Sequence, residues 1–132
     1  MLTHEERQNV FNKVAAHLLS MKEQSVDADG SCMYRGGNNQ RCAVGVLIPD
    51  EIYDPLIENH DIASLWGMAR VSAFDEPLNK FILDNLEDDL LFYLQGVHDA
   101  YASWSDDGFA GHRKLAHIAG LYNLDFEGEE NV

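Results

Sequence analysis

The chain has two cysteines, Cys32 and Cys42, and they flank the loop Gly36-Gly-Asn-Asn-Gln40 together with Arg35 and Arg41. Ionised thiols are nucleophiles and metal ligands. Two guanidinium groups beside exposed loop N–H groups would suit a phosphate or carboxylate. Tyr34 and Tyr53 could stack on a base or another ring. The ordinary alternative is internal: Arg35 and Arg41 pair with Asp50, Glu51 or Asp54 of the same segment, in a chain with 23 acidic residues. Zinc would need two further ligands, and no C-x-x-C or H-x₃-H spacing supplies them. The run from Ser25 to Gly36 grazes the calcium-loop pattern through Asp27, Asp29 and Gly30. It has Ser25 where the first Asp belongs and Gly36 where the bidentate Glu belongs, so an Asx turn is expected instead. No metal and no cofactor is assigned.

His98 and Asp99 are the other pair with chemical potential. On a helix, neighbours point about 100° apart, so the two are not expected to form a catalytic dyad. His98 is expected to be packed and hydrogen-bonded to a buried partner. An enzyme would need it within hydrogen-bond reach of Cys32, Cys42 or an acid. No nucleophile motif is present, and no catalytic residue is assigned.

The formal charge of −14 and the pI of about 4.5 exclude direct binding to nucleic acid or to an anionic membrane, since both need Lys/Arg clusters. They favour a partner with a basic surface. Asp84, Glu87, Asp88, Asp89, Asp99, Asp106 and Asp107 concentrate this charge in the C-terminal half. A solvated face is the usual reason for such a cluster, and Glu87 and Asp88 also suit a helix N-terminus. No apolar run approaches the roughly 20 residues of a membrane span. Two cysteines and no signal peptide predict a soluble cytoplasmic protein.

These residues must be positioned by a single domain of ordinary size over 1–124, with an acidic, frayed tail at 125–132. Thr3 and Glu6 form a capping box for a helix from near His4 to near Lys22, with Val10, Phe11, Val14, Leu18 and Met21 on one face and His17 half-buried beside it. A hairpin over 32–43 places Cys32 opposite Cys42. Val44–Ile48 is apolar and buried. Short turns follow at Pro49–Tyr53 and from Asp54-Pro55. Helices are predicted from Ile62 to Ala69 capped by Asp61, from Asp75 through Asn85, from Glu87 to about Ser103 with Tyr101 on the buried stripe, and from Arg113 to Tyr122, with a loop at 104–111. The class is α+β: mainly helical, about five helices and one small β-hairpin.

The segments Cys32-Met-Tyr-Arg35 and Arg41-Cys-Ala-Val-Gly-Val-Leu-Ile-Pro-Asp-Glu-Ile-Tyr-Asp-Pro55 resemble a group of small phage and prophage proteins with the pattern C-x-Y-R, a Gly-rich loop, then C-A-x-G-x-L-I-P-D-E-x-Y-D. Leu94-Gln-Gly-Val-His-Asp99 is similar to their L-Q-x-I-H-D segment, and Leu115–Leu121 to their closing helix. The likeness runs from Cys32 to Leu124. It implies a virus-encoded origin, hence an infected bacterial host cell, and a shared fold, but no established activity. A third cysteine often stands in that family where this chain has Val46, which speaks further against a metal.

The resulting expectation is a non-enzymatic acidic protein that modulates a host or defence protein by contact, with DNA-like charge mimicry as one route. The alternative is a binder of a small anionic ligand, such as a nucleotide signal, through Tyr34, Arg35, Arg41 and Tyr53, aided by Asp50, Glu51 and His98. A small enzyme or metal protein ranks last. A ligand binder should show a pocket between the hairpin and the helices.

Overall fold

A computed structural model describes residues 2–37 and 40–126. The expected cysteine loop includes Asn38 and Asn39, and the expected tail includes 127–132; these positions lie outside the described residues. Five α-helices occur among the described residues: α1 (His4–Ser20), α2 (Ile62–Arg70), α3 (Glu76–Asn85), α4 (Asp89–Asp99) and α5 (His112–Leu121). A two-stranded antiparallel sheet, β1 (Trp104–Ser105) and β2 (Gly108–Phe109), sits between α4 and α5. The class is therefore mainly helical α+β. No helix among the described residues is long and apolar enough to cross a membrane.

Local chemistry accounts for the helix starts. Thr3 and Glu6 exchange the two bonds of a capping box at α1. The Asp61 carboxylate accepts from the Ser64 N–H at α2, and Asp88 accepts from the Leu90 N–H at α4. Burial accounts for the packing. Phe11, Val14 and Leu18 of α1, Leu65 of α2, Leu78 and Ile82 of α3, Leu90, Leu91 and Leu94 of α4, and Leu115 of α5 are buried in one core. Within that core α2 packs mainly on α3, and α4 on α5 and α1. Fully burying each such aliphatic side chain contributes about 1.5–3 kcal/mol.

The regular hairpin falls at 104–109, a stretch expected to be a loop, and not at 32–43. Around the cysteine loop the described residues form single bridges, Arg35 with Arg41 and Val26 with Cys32. The reason is competition for backbone donors. The Tyr34 N–H, which would return the bond to Cys42, goes to the Glu58 carboxylate at 2.9 Å, and the Arg35 N–H joins it there at 3.0 Å. Two ladder bonds remain, Cys42 N–H to Tyr34 O and Gly36 N–H to Gln40 O. That register sets Tyr34, not Cys32, against Cys42. Both cysteines are free thiols, Cys42 fully buried and Cys32 partly so.

Other expectations shift with the backbone. Val44–Ile48 is buried only in part, around a tight turn at Gly45–Leu47. α4 ends at Asp99 because Ala100 is extended, so the helical phase is lost and Tyr101 is 93% exposed instead of buried. Two donors take the carbonyl of His98, one of those left open at that helix end: Trp104 Nε1 at 2.7 Å and Gln24 Nε2 at 2.8 Å. His17 is half-buried and donates to the Arg41 carbonyl at 2.7 Å, and burial lowers its pKa below 6.5. At the far end, Asp125 exchanges hydrogen bonds with Gln8, and Phe126 packs edge-on against Phe11, so these two positions belong to the fold and not to a frayed tail.

Candidate functional site

Of the two arginines of the cysteine loop, Arg35 is paired with an acid and Arg41, among the described residues, is not. Arg35 forms an ion pair with Asp50 at 2.8 Å, donates to the Ile48 carbonyl, and lies under the Tyr53 ring at 4.3 Å from its centroid. Tyr53 in turn donates to Glu58 at 2.6 Å. Arg41 donates to the Gln40 carbonyl. Arg35, Asp50, Tyr53 and Glu58 therefore form a brace that locks the loop onto the turns after it. Glu51 and Tyr53 instead line a shallow depression of about 360 Å³ with Asp75 and Pro77. Tyr34 alone of the expected ligand residues reaches the main cavity, and its hydroxyl is held by the His60 carbonyl at 2.6 Å.

That cavity measures about 800 Å³. It opens between the Cys32–Tyr34 segment, the 59–63 entry to α2, and helices α4 and α5. Met33, Ile62, Phe92, Tyr93, Val97 and Ile118 give it apolar walls, and Phe92 and Tyr93 are 64% and 45% exposed. α4 contributes Phe92, Gln95, Gly96 and Asp99, spaced to share one side of the helix. A Cβ built on Gly96 would meet nothing within 4 Å. The absent side chain leaves this wall of the cavity open, although glycine costs an interior helix position about 0.5–1 kcal/mol. α5 contributes Arg113, Lys114 and His117. Lys114 reaches Ser103 Oγ at 3.2 Å, whereas Arg113 and His117 have no side-chain partner among the described residues. Asp61 and Asp99 line the same space, so charges of both signs face it.

His98 lies behind the cavity wall, fully buried. Contrary to expectation, it does pair with its neighbour: Nδ1 stands 2.8 Å from Asp99 Oδ1. Nδ1 lies close to the backbone and the Asp side chain is short, so the 100° divergence is bridged at the last residue of α4. The Ser25 N–H donates to Nε2 at 3.1 Å. Nε2 thus carries no proton, and the ring is a neutral donor through Nδ1. Cys32 Sγ, His98 and Asp99 offer ligand atoms all within 4.8 Å of one another. They do not fit a metal. A metal at Nδ1 would force the proton onto Nε2, against the Ser25 N–H, with no acceptor there. The Cys32 thiol is pushed up to about 11 by burial and by the negative charge of Asp99, so it stays protonated near neutrality. Burial pushes Cys42 up to about 12.

The acidic residues expected to share one face have different roles. Asp88 is buried, not on the surface: it holds Arg7 through Nε and NH2 and accepts from the Leu2 and Leu90 N–H groups. It caps a helix where charge and cap satisfy the same donors. Asp84 pairs with Lys80 at 2.8 Å, and Asp99 lines the cavity. Glu87, Asp89, Asp106 and Asp107 are exposed.

Sequence reasoning missed Glu58, Gln95 and the α5 cations. Gln95 carried a signal: a polar residue within the apolar 90–98 stripe must be satisfied there or open onto a cavity. Glu58, after an irregular turn, carried none. Three comparisons accompany this geometry: no family model matches the chain, and no curated protein and no solved structure is significantly similar to it.

Proposed function

We propose that the protein binds a small, partly apolar molecule bearing an anionic group, in the cavity between the Cys32–Tyr34 segment, α4 and α5. The observation that carries this reading is an 800 Å³ concavity with apolar walls, lined by Arg113, whose side chain has no partner among the described residues. Ligand sites of small proteins fall within roughly 300–1,000 Å³ and combine apolar walls with a few convergent polar groups. Arg113 and Lys114 are the cations that serve an anion, with the His117 ring beside them; Arg35 is matched by Asp50, and neither Arg35 nor Arg41 lines this cavity.

Anilinonaphthalene sulfonate, an apolar anion, is the test probe. It should bind the wild-type chain saturably, with a rise in the unfolding temperature. Gly96→Leu should weaken binding about tenfold or more by projecting a side chain from the open α4 wall into the cavity, yet leave stability equal or higher, since leucine is the better helix former. Arg113→Glu should weaken binding about tenfold or more. Unchanged binding in Gly96→Leu would remove the reading.

A second reading, contact with a host or defence protein of basic surface in a phage-encoded context, is favoured by the exposed Asp106-Asp107 turn and the net charge. It requires salt-sensitive association with that partner, lost on charge reversal at Asp106 and Asp107. Association indifferent to both salt and charge reversal would eliminate it.

A further inference from the structure

We infer that Asp99 is the recognition carboxylate of this cavity and that its ligand is zwitterionic, carrying a protonated amine or similar cationic N–H group as well as its anion. The assignment rests on the cavity being a ligand site. Asp99 keeps 43% of its side chain exposed while lining that space. Its Oδ1 receives two hydrogen bonds, from Gln95 Nε2 at 2.9 Å and from His98 Nδ1 at 2.8 Å.

Both donors are themselves fixed by backbone N–H groups. Val44 donates to Gln95 Oε1 at 2.9 Å, which turns the amide so that its NH₂ faces Asp99. Ser25 donates to His98 Nε2, which sets the tautomer. The chain segments on either side of the cysteine loop thus orient one carboxylate through two buried side chains. A carboxylate held in one orientation by its neighbours loses little freedom on meeting a ligand.

The charge of Asp99 is not matched. Its neighbours Gln95, His98 and Cys32 are all neutral, and no Lys or Arg of the described residues pairs with it. A cation that reaches this oriented carboxylate gains a charge-assisted hydrogen bond. The anion site on α5 and the cation site on α4 open into the same space. A ligand of both signs with an apolar spacer satisfies both, which a purely anionic nucleotide would not.

NMR titration of the full chain with three aryl probes tests this: para-(aminoethyl)benzoate, para-ethylbenzoate without the amine, and phenethylamine without the carboxylate. The wild-type chain should bind the zwitterion about tenfold more tightly than para-ethylbenzoate. In Asp99→Asn the preference should fall to about twofold or less. Asparagine still offers an oxygen to Gln95 and His98, and an unchanged unfolding temperature checks that the fold is kept. If the wild type shows no preference, or if the preference survives in Asp99→Asn, the role of Asp99 is overturned while the cavity stands as a ligand site. If none of the three probes and no anilinonaphthalene sulfonate binds, the ligand-site reading falls and this assignment with it.

Discussion

Gly45→Ala is expected to destabilise the protein by about 3 kcal/mol or more, a fall of roughly 10 °C in unfolding temperature for a domain of this size. A Cβ at Gly45 would lie 1.8 Å from the Tyr34 carbonyl oxygen and 2.7 Å from its carbon. Neither atom belongs to a flexible side chain. The Tyr34 carbonyl also accepts the Cys42 N–H, so moving it away breaks that bond. The turn at Gly45–Leu47 could move only by disturbing buried Val44 and Ile48. Because Tyr34 lines the cavity, ligand binding should weaken along with stability. Gly67→Ala is the control: its Cβ meets open space on exposed α2 surface, and stability should rise by about 0.5–1 kcal/mol. Thermal unfolding of the two variants decides the matter. An alanine at 45 as well tolerated as one at 67 would mean that the Cys32–Tyr34 segment does not pack on this turn.

Asp88→Ala is the second large effect, expected at about 3–4 kcal/mol. The Asp88 side chain is fully buried and Arg7 keeps 24% of its own exposed, so the acid has more to lose. Removing it strands the Leu2 and Leu90 N–H groups and leaves the guanidinium without its acid, held only over the Tyr122 ring at 4.9 Å. Asp88→Asn keeps an oxygen for the α4 cap and should cost roughly half as much. Arg7→Met combined with Asp88→Leu should be milder than Asp88→Ala alone, because no buried charge is then left unmatched. Denaturant titrations of the four chains measure this. A surface-exposed Asp88 would give instead a loss below about 1 kcal/mol that shrinks further with salt.

These two variants mark where sequence pattern and tertiary context divide. The α1 capping box, the Asp61 cap, the apolar stripes of α1 and α4, the turn opened by Asp54-Pro55 and the Asx turn at Asp27 all follow from residues within four positions of one another. Short-range hydrogen bonding and helical periodicity are strong enough to be read along the chain. The mainly helical α+β class follows from them. Arg35 found its acid at Asp50, within reach of the same motif.

Contacts between distant residues decided the rest. Glu58 takes the Tyr34 N–H that a longer hairpin at 32–43 would have used, from 24 residues away. Arg7 meets Asp88 across 81 positions and removes one acid from the supposed surface. Ser25 and Val44 fix His98 and Gln95, and so Asp99, across 73 and 51 positions. The cavity joins segments spread from Cys32 to Ile118. Composition and spacing determined which residues could carry charge, donate or pack. The partner each one found depended on loop closures that bring remote segments together, and a short-range pattern holds no record of those closures.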